Sequence, residues 1–198
     1  MAILTIRTEG DPILRKTARP VEAVTPKIRQ LLDDMLETMY DDMGVGIAGP
    51  QVGKLRRLIT VDVGEGPYRM VNPEILWASE ETQLDVEGCL SVPHFNGAVV
   101  RPQKVRVRYW DENQETKEVE AEGLFARCLC HEIDHLDGVL FRDRVEMEID
   151  LEHPTDEQLA YMASHGLLPK EEEEVEELER IAETLQGDAE ASESDEAH

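Results

Sequence analysis

One predicted helix, Leu124–Leu136, constrains this chain more than any other feature. Leu124, Phe125, Leu129, Ile133 and Leu136 make it an element that must be buried. Gly123 opens it and Asp137-Gly138 closes it. Yet His131-Glu132-Ile133-Asp134-His135 places four polar side chains on it. Buried polar groups need partners, so the fold must bring other residues to this helix to satisfy them. Four residues at about 1.5 Å rise separate the two histidines by about 6 Å along the axis, on one face. Two imidazoles so placed can bind one divalent cation, with Glu132 beside them as a proton acceptor rather than a ligand. Taken alone, the pattern reads equally as an exposed polar face.

A catalytic metal site needs a third protein ligand. The extended metalloprotease pattern requires a histidine at position 141, where Phe141 stands. That pattern is excluded, while a distant Glu ligand, as in other zinc proteases, stays open. Cys128 lies three residues before His131 and can face the site. Cys130 directly precedes His131 and points elsewhere. Both read as buried fillers. Cys89 is the better candidate, set in the compact segment Glu87-Gly88-Cys89-Leu90-Ser91-Val92-Pro93. A thiolate beside a divalent cation is deprotonated at neutral pH. Three cysteines are too few, and odd in number, for a disulfide framework, which fits a reducing compartment.

The surrounding elements indicate an α+β class with mostly antiparallel strands. Thr25-Pro26 caps a helix whose stripe is Ile28, Leu31, Leu32, Met35, Leu36 and Met39, ending near Gly44. Gly44 to Gly53 carries four glycines and a proline, which argues for a loop able to approach a ligand closely. Leu55–Val63 and Tyr68–Val71 flank a turn, Gly64-Glu65-Gly66-Pro67, and read as a hairpin. Lys104–Trp110 and Lys117–Ala121 alternate as half-buried strands. Thr155-x-x-Gln158 is a capping box for a last helix, Asp156–His165.

Acidic residues outnumber basic ones by 44 to 20, for a net charge of −24. Such a chain is repelled by nucleic acid and anionic membrane, so DNA is not an expected partner. No apolar run suffices for a membrane span, and the N-terminus has no secretory signal, so a cytoplasmic location is expected. The expected organisation is a catalytic domain over 1–168, an acidic helix over 169–187 and a disordered acidic tail over 188–198.

Three segments occur in order: Gly44-x-Gly46-x-Ala48-x-Pro50-Gln51-x-Gly53, Glu87-Gly88-Cys89-Leu90-Ser91, and His131-Glu132-x-Asp134-His135. Together they resemble the signature motifs of the peptide deformylases, over about the first 150 residues. The resemblance implies that strands pack around a central metal-binding helix. It implies that Cys89, His131 and His135 hold one ion, typically Fe(II), with Zn(II) or Ni(II) as substitutes. Glu132 would be general base and then acid; Gln51 and the Leu90 N–H would stabilise the oxyanion. Gly46 would bind the substrate backbone, and Val45 would line the methionine pocket. The implied reaction removes the formyl group from N-formylmethionine of nascent proteins and releases formate. Transient ribosome contact is expected by a route other than the acidic tail.

Three departures from the usual pattern carry expectations. Gly49 replaces an alanine, which suggests a looser loop. Asn96 falls where many members carry an arginine. Arg127 replaces an apolar pocket residue, which suggests a narrowed or polarised methionine pocket. The alternatives are a zinc endopeptidase with a Glu ligand and a non-enzymatic interaction module.

Overall fold

The computed structural model describes residues 2–168; the expected acidic helix and tail lie outside them. The elements run α1 (Pro26–Asp41), β1 (Gly46–Ala48), β2 (Leu58–Val61), β3 (Tyr68–Ala78), β4 (Thr82–Cys89), β5 (Val92–Pro102), β6 (Lys104–Trp110), β7 (Thr116–Glu122), α2 (Gly123–Leu136), β8 (Val145–Ile149) and α3 (Asp156–His165). Short 3-10 turns occupy Pro12–Arg15, Gly49–Val52 and Phe141–Arg144. One sheet has the order β1-β2-β3-β6-β7 and the other β4-β5-β8, with antiparallel pairing throughout. The α+β expectation holds.

Helix α2 packs its apolar residues, with Leu129 and Leu136 fully enclosed, against Ile59, Val61, Met70, Val105 and Val107 of the larger sheet. Helix α1 buries Leu32, Met35, Leu36 and Met39 against Ile47, Leu58 and Val71. Thr25 caps α1 through the Ile28 N–H, and the helix stops at Asp41 because Met43 turns left-handed (φ 54°) just before Gly44. Thr155 and Gln158 cap α3 reciprocally. Gly138 ends the α2 region at φ 77°, and a Cβ there would lie 2.7 Å from the Arg15 carbonyl oxygen. The chain crosses itself there too closely for any other residue.

Five strands depart from the sequence reading, β3 among them because it runs past Val71 to Ala78. The glycine loop contains β1 and a 3-10 turn, because Gly46–Ala48 pairs with Ile59–Val61. Strands β4, β5 and β8 form a second sheet absent from the sequence reading, although β8 alternates Val145, Met147 and Ile149 with Glu146 and Glu148. Among the described residues, no helix is long and apolar enough to cross a membrane.

Candidate active site

Helix α2 passes between the two sheets and carries His131 and His135 toward the end of β4. There the strand bulges at Gly88/Cys89, and a tight turn through Leu90 and Ser91 leads into β5. The bulge re-aims Cys89, whose Sγ lies 3.3 Å from His135 Nε2. Ligand atoms of Cys89, His131 and His135 all fall within 4.8 Å of one another.

Charged side chains surround the histidines. His131 Nδ1 lies 2.9 Å from Glu87 Oε2. An ionised carboxylate only accepts, so Nδ1 carries the proton and Nε2 is left for a metal. Arg101 grips both Glu87 oxygens at 2.9 and 3.0 Å, and Arg127 donates to Oε1 at 2.7 Å. Arg101 also reaches Asp134, which in turn holds Arg144. Burial works against the Glu87 carboxylate, but the hydrogen bonds from His131 and Arg101 hold its pKa below the ordinary carboxylate range. Burial likewise opposes the His131 imidazolium, but hydrogen bonds to Cys89 and Glu87 outweigh it and raise its pKa, so a metal that binds Nε2 does so by displacing a proton. Burial and then the His131 charge hold His135 well below its usual value.

Glu132 is buried, and its Oε2 has no hydrogen-bond partner. Burial pushes its pKa up to about 7. Gln51 sits on the 3-10 turn after β1. Its Oε1 accepts from the Ala48 N–H at 2.7 Å, which turns Nε2 toward Cys89, 3.6 Å from Sγ. Val45, Gly46, Gln51, Leu90, His131 and Glu132 share the wall of a cavity of about 390 Å³, with His135 deeper behind it. A Cβ on Gly46 would lie 2.5 Å from Glu132 Oε1 and 2.7 Å from Cys128 Sγ, so only glycine allows this approach. The donor set, two imidazole nitrogens and one thiolate, suits a single transition-metal ion. A buried carboxyl with a free oxygen beside it completes that fit.

A family model, Polypeptide deformylase, matches residues 3–149. The chain belongs to the peptide deformylase family. It is a metal-dependent hydrolase that removes the formyl group from N-terminal methionine. It is 56% identical over 146 residues to the peptide deformylase of Agathobacter rectalis, covering 74% of this chain and 92% of that one. It is 55% identical over 152 residues to that of Caldanaerobacter subterraneus subsp. tengcongensis, covering 77% and 95%. The crystal structure of peptide deformylase from Thermotoga maritima superposes with a TM-score of 0.73 at 43% identity, covering 74% of this chain and 99% of that one.

The structure places two of the departures from the family pattern and corrects the expectation for one, Gly49. Arg127 lines the cavity: its Nη1 and Nη2 donate to Glu87, the Val99 carbonyl and the Gln83 carbonyl, while its buried Nε has no partner among the described residues. Gly49 does not loosen its loop: a Cβ there would lie 2.6 Å from the Arg56 carbonyl oxygen and 2.7 Å from that of Lys54. The sequence reading gave no role to Glu87 or Arg101. The signal was available, since Arg127 stands among apolar residues of α2 and needed a buried partner.

Proposed function

We propose that Cys89, His131 and His135 hold one Fe(II), replaceable by Zn(II) or Ni(II), and that the residues around them carry out deformylation. Such a cation supplies Lewis acidity, making water nucleophilic near neutral pH and polarising the formyl carbonyl. The convergence of three ligand atoms beneath the free oxygen of Glu132 supports this reading. Glu132 takes a proton from the attacking water and returns it to the leaving amine. Burial raises the pKa of this carboxyl, which helps it hold the proton between the two transfers. The Gln51 Nε2 and the Leu90 N–H donate to the oxygen that becomes negative. Gln51 is pinned for that task by Ala48, so little reorganisation is needed, and one such donor is worth roughly 2.7–4 kcal/mol elsewhere.

Substrate recognition follows from sheet order. Strand β1 is the edge of the larger sheet, so Gly46 can pair with an extended peptide and tolerate varied residues beyond the first. Val45 then flanks the methionine side chain at the cavity wall. The partners are N-formylmethionyl nascent peptides in the cytoplasm, with transient ribosome contact made elsewhere than through the acidic residues beyond 168.

The test is anaerobic Fe(II) loading, elemental analysis and formate release from formyl-Met peptides. Cys89→Ala should lose both metal and turnover. Retention of one metal ion per chain by Cys89→Ala would indicate a site of the zinc-protease kind. Absence of turnover in the Fe(II)-loaded protein would overturn the proposed roles.

A further inference from the structure

Among the described residues six cations reach no carboxylate: Lys27 and Arg29 at the start of α1, and four that gather on one face. Most of the other arginines and lysines do reach one: Arg57 pairs with Asp137, Arg69 with Asp33 and Arg15 with Asp143, for example. The four on one face are Lys16, Arg19, Lys54 and Arg56, and all four are exposed. Their two segments run side by side. Arg19 and Arg56 are bridged through the backbone, with Arg19 N–H donating to Leu55 O at 3.1 Å and Arg57 N–H to Arg19 O at 2.9 Å. The Arg7 guanidinium extends the same face, lying 3.2 Å from where a Gly53 Cβ would stand. This face therefore presents four positive charges without a carboxylate partner among the described residues, on a chain of net charge −24. It adjoins the end of α2 at Leu136–Gly138, and none of the four cations lines the active-site cavity.

We propose that this face is the docking surface for the acidic segment 171–198 of the same chain. That segment begins with Glu171-Glu172-Glu173-Glu174 and includes Glu176, Glu177, Glu179, Glu183, Asp188, Glu190, Glu193, Asp195 and Glu196, against one arginine, Arg180. Screening limits interactions to about 8 Å at physiological salt, so the face acts through its local charge rather than the net charge of the chain. An outside polyanion must still approach a strongly acidic molecule, whereas a tethered segment is present at an effective concentration in the millimolar range. Thirty residues follow Leu168 and can span up to about 100 Å, several times the width of a small domain. One relative does without this segment: 148 residues match the complete length of the Alkaliphilus metalliredigens peptide deformylase at 51% identity. The contact is therefore an addition to the catalytic unit, and it keeps the face from other polyanions.

The test uses the full chain and zero-length carbodiimide coupling of carboxylates to lysines, mapped by mass spectrometry. Lys16 and Lys54 should couple to residues 171–198 at higher yield than Lys27, Lys104 or Lys117. About 0.5 M NaCl should reduce that coupling at least about fivefold, the scale expected for four exposed charge pairs. Arg19→Gln with Arg56→Gln should lower it similarly while leaving formyl-Met peptide turnover unchanged. Mixing isotopically labelled and unlabelled chains should give only same-chain couples. Even coupling across all five lysines, mixed-isotope couples, or indifference to the double substitution would overturn the proposal. So would protection of Lys16 and Lys54 by a homopolymeric RNA in the absence of tail coupling.

Discussion

Glu87→Gln is the substitution that best tests how the site is held. Glu87 accepts from His131 Nδ1, from Arg101 twice and from Arg127, and all four side chains are at most 10% exposed. Glutamine keeps the shape but removes the charge and turns one acceptor into a donor. Placed at Oε2, its NH2 faces Arg101 Nη2 and His131 Nδ1; placed at Oε1, it faces Arg101 Nε and Arg127 Nη1. Either way two buried donors meet a donor; Arg101 keeps only Asp134 as a carboxylate partner, and Arg127 keeps none. Breaking a buried pair in this way costs about 3–5 kcal/mol. For a domain of this size that lowers the melting temperature by roughly 6–20 °C. Released from Glu87, the His131 ring loses its fixed tautomer, and metal retention should weaken about 10–100-fold.

The assay is thermal and urea unfolding of the metal-free protein, with metal affinity measured separately by chelator competition. Arg127→Met supplies the control. Alone it removes one of Glu87's partners; combined with Glu87→Gln it removes one of the two stranded cations. The double variant should therefore be more stable than the sum of the single effects implies. A loss below about 1 kcal/mol for Glu87→Gln, together with additive effects, would refute the view that this carboxylate is the electrostatic centre of the site.

Other outcomes follow from the same geometry. Gly46→Ala forces a Cβ to within 2.5 Å of Glu132 Oε1 and should cost about 1–3 kcal/mol with a fall in kcat, read by thermal melting and steady-state kinetics. Gln51→Leu should lower kcat about 10²–10³-fold with metal content unchanged by elemental analysis. Because the folded pKa of Glu87 lies below its ordinary value of 4.5, its stabilisation is full above that pH and is lost as pH falls further. Acid titration of the metal-free protein should therefore show stability declining below about pH 4.5, with the gap to Glu87→Gln closing.

Local physics decided what could be read from the chain. The bounds of α3 and β6, the reciprocal cap of α3 and the left-handed Gly166 that stops it follow from short-range chemistry, and the structure repeats them. Helix α2 was legible because its apolar stripe and its histidines fall on helical spacing. Strand β4 was not, because its one buried residue is a charged one, Glu87. Leu84 and Val86 pack with Met147 and Met162, while Glu87 turns inward to charged partners, so the usual sign of a buried strand face is inverted. A glutamate on a strand ordinarily signals solvent. Here it signals the interior, because Arg101 comes from β5 and Arg127 from α2, residues far apart in sequence that only the assembled sheets bring together. The rule that made His131 and Glu132 conspicuous, that a polar group on an apolar helix must have a partner, applied equally to Arg127. Followed through, it requires a buried carboxylate within reach of α2, and Glu87, two residues from the proposed thiolate ligand, is the residue that meets that requirement.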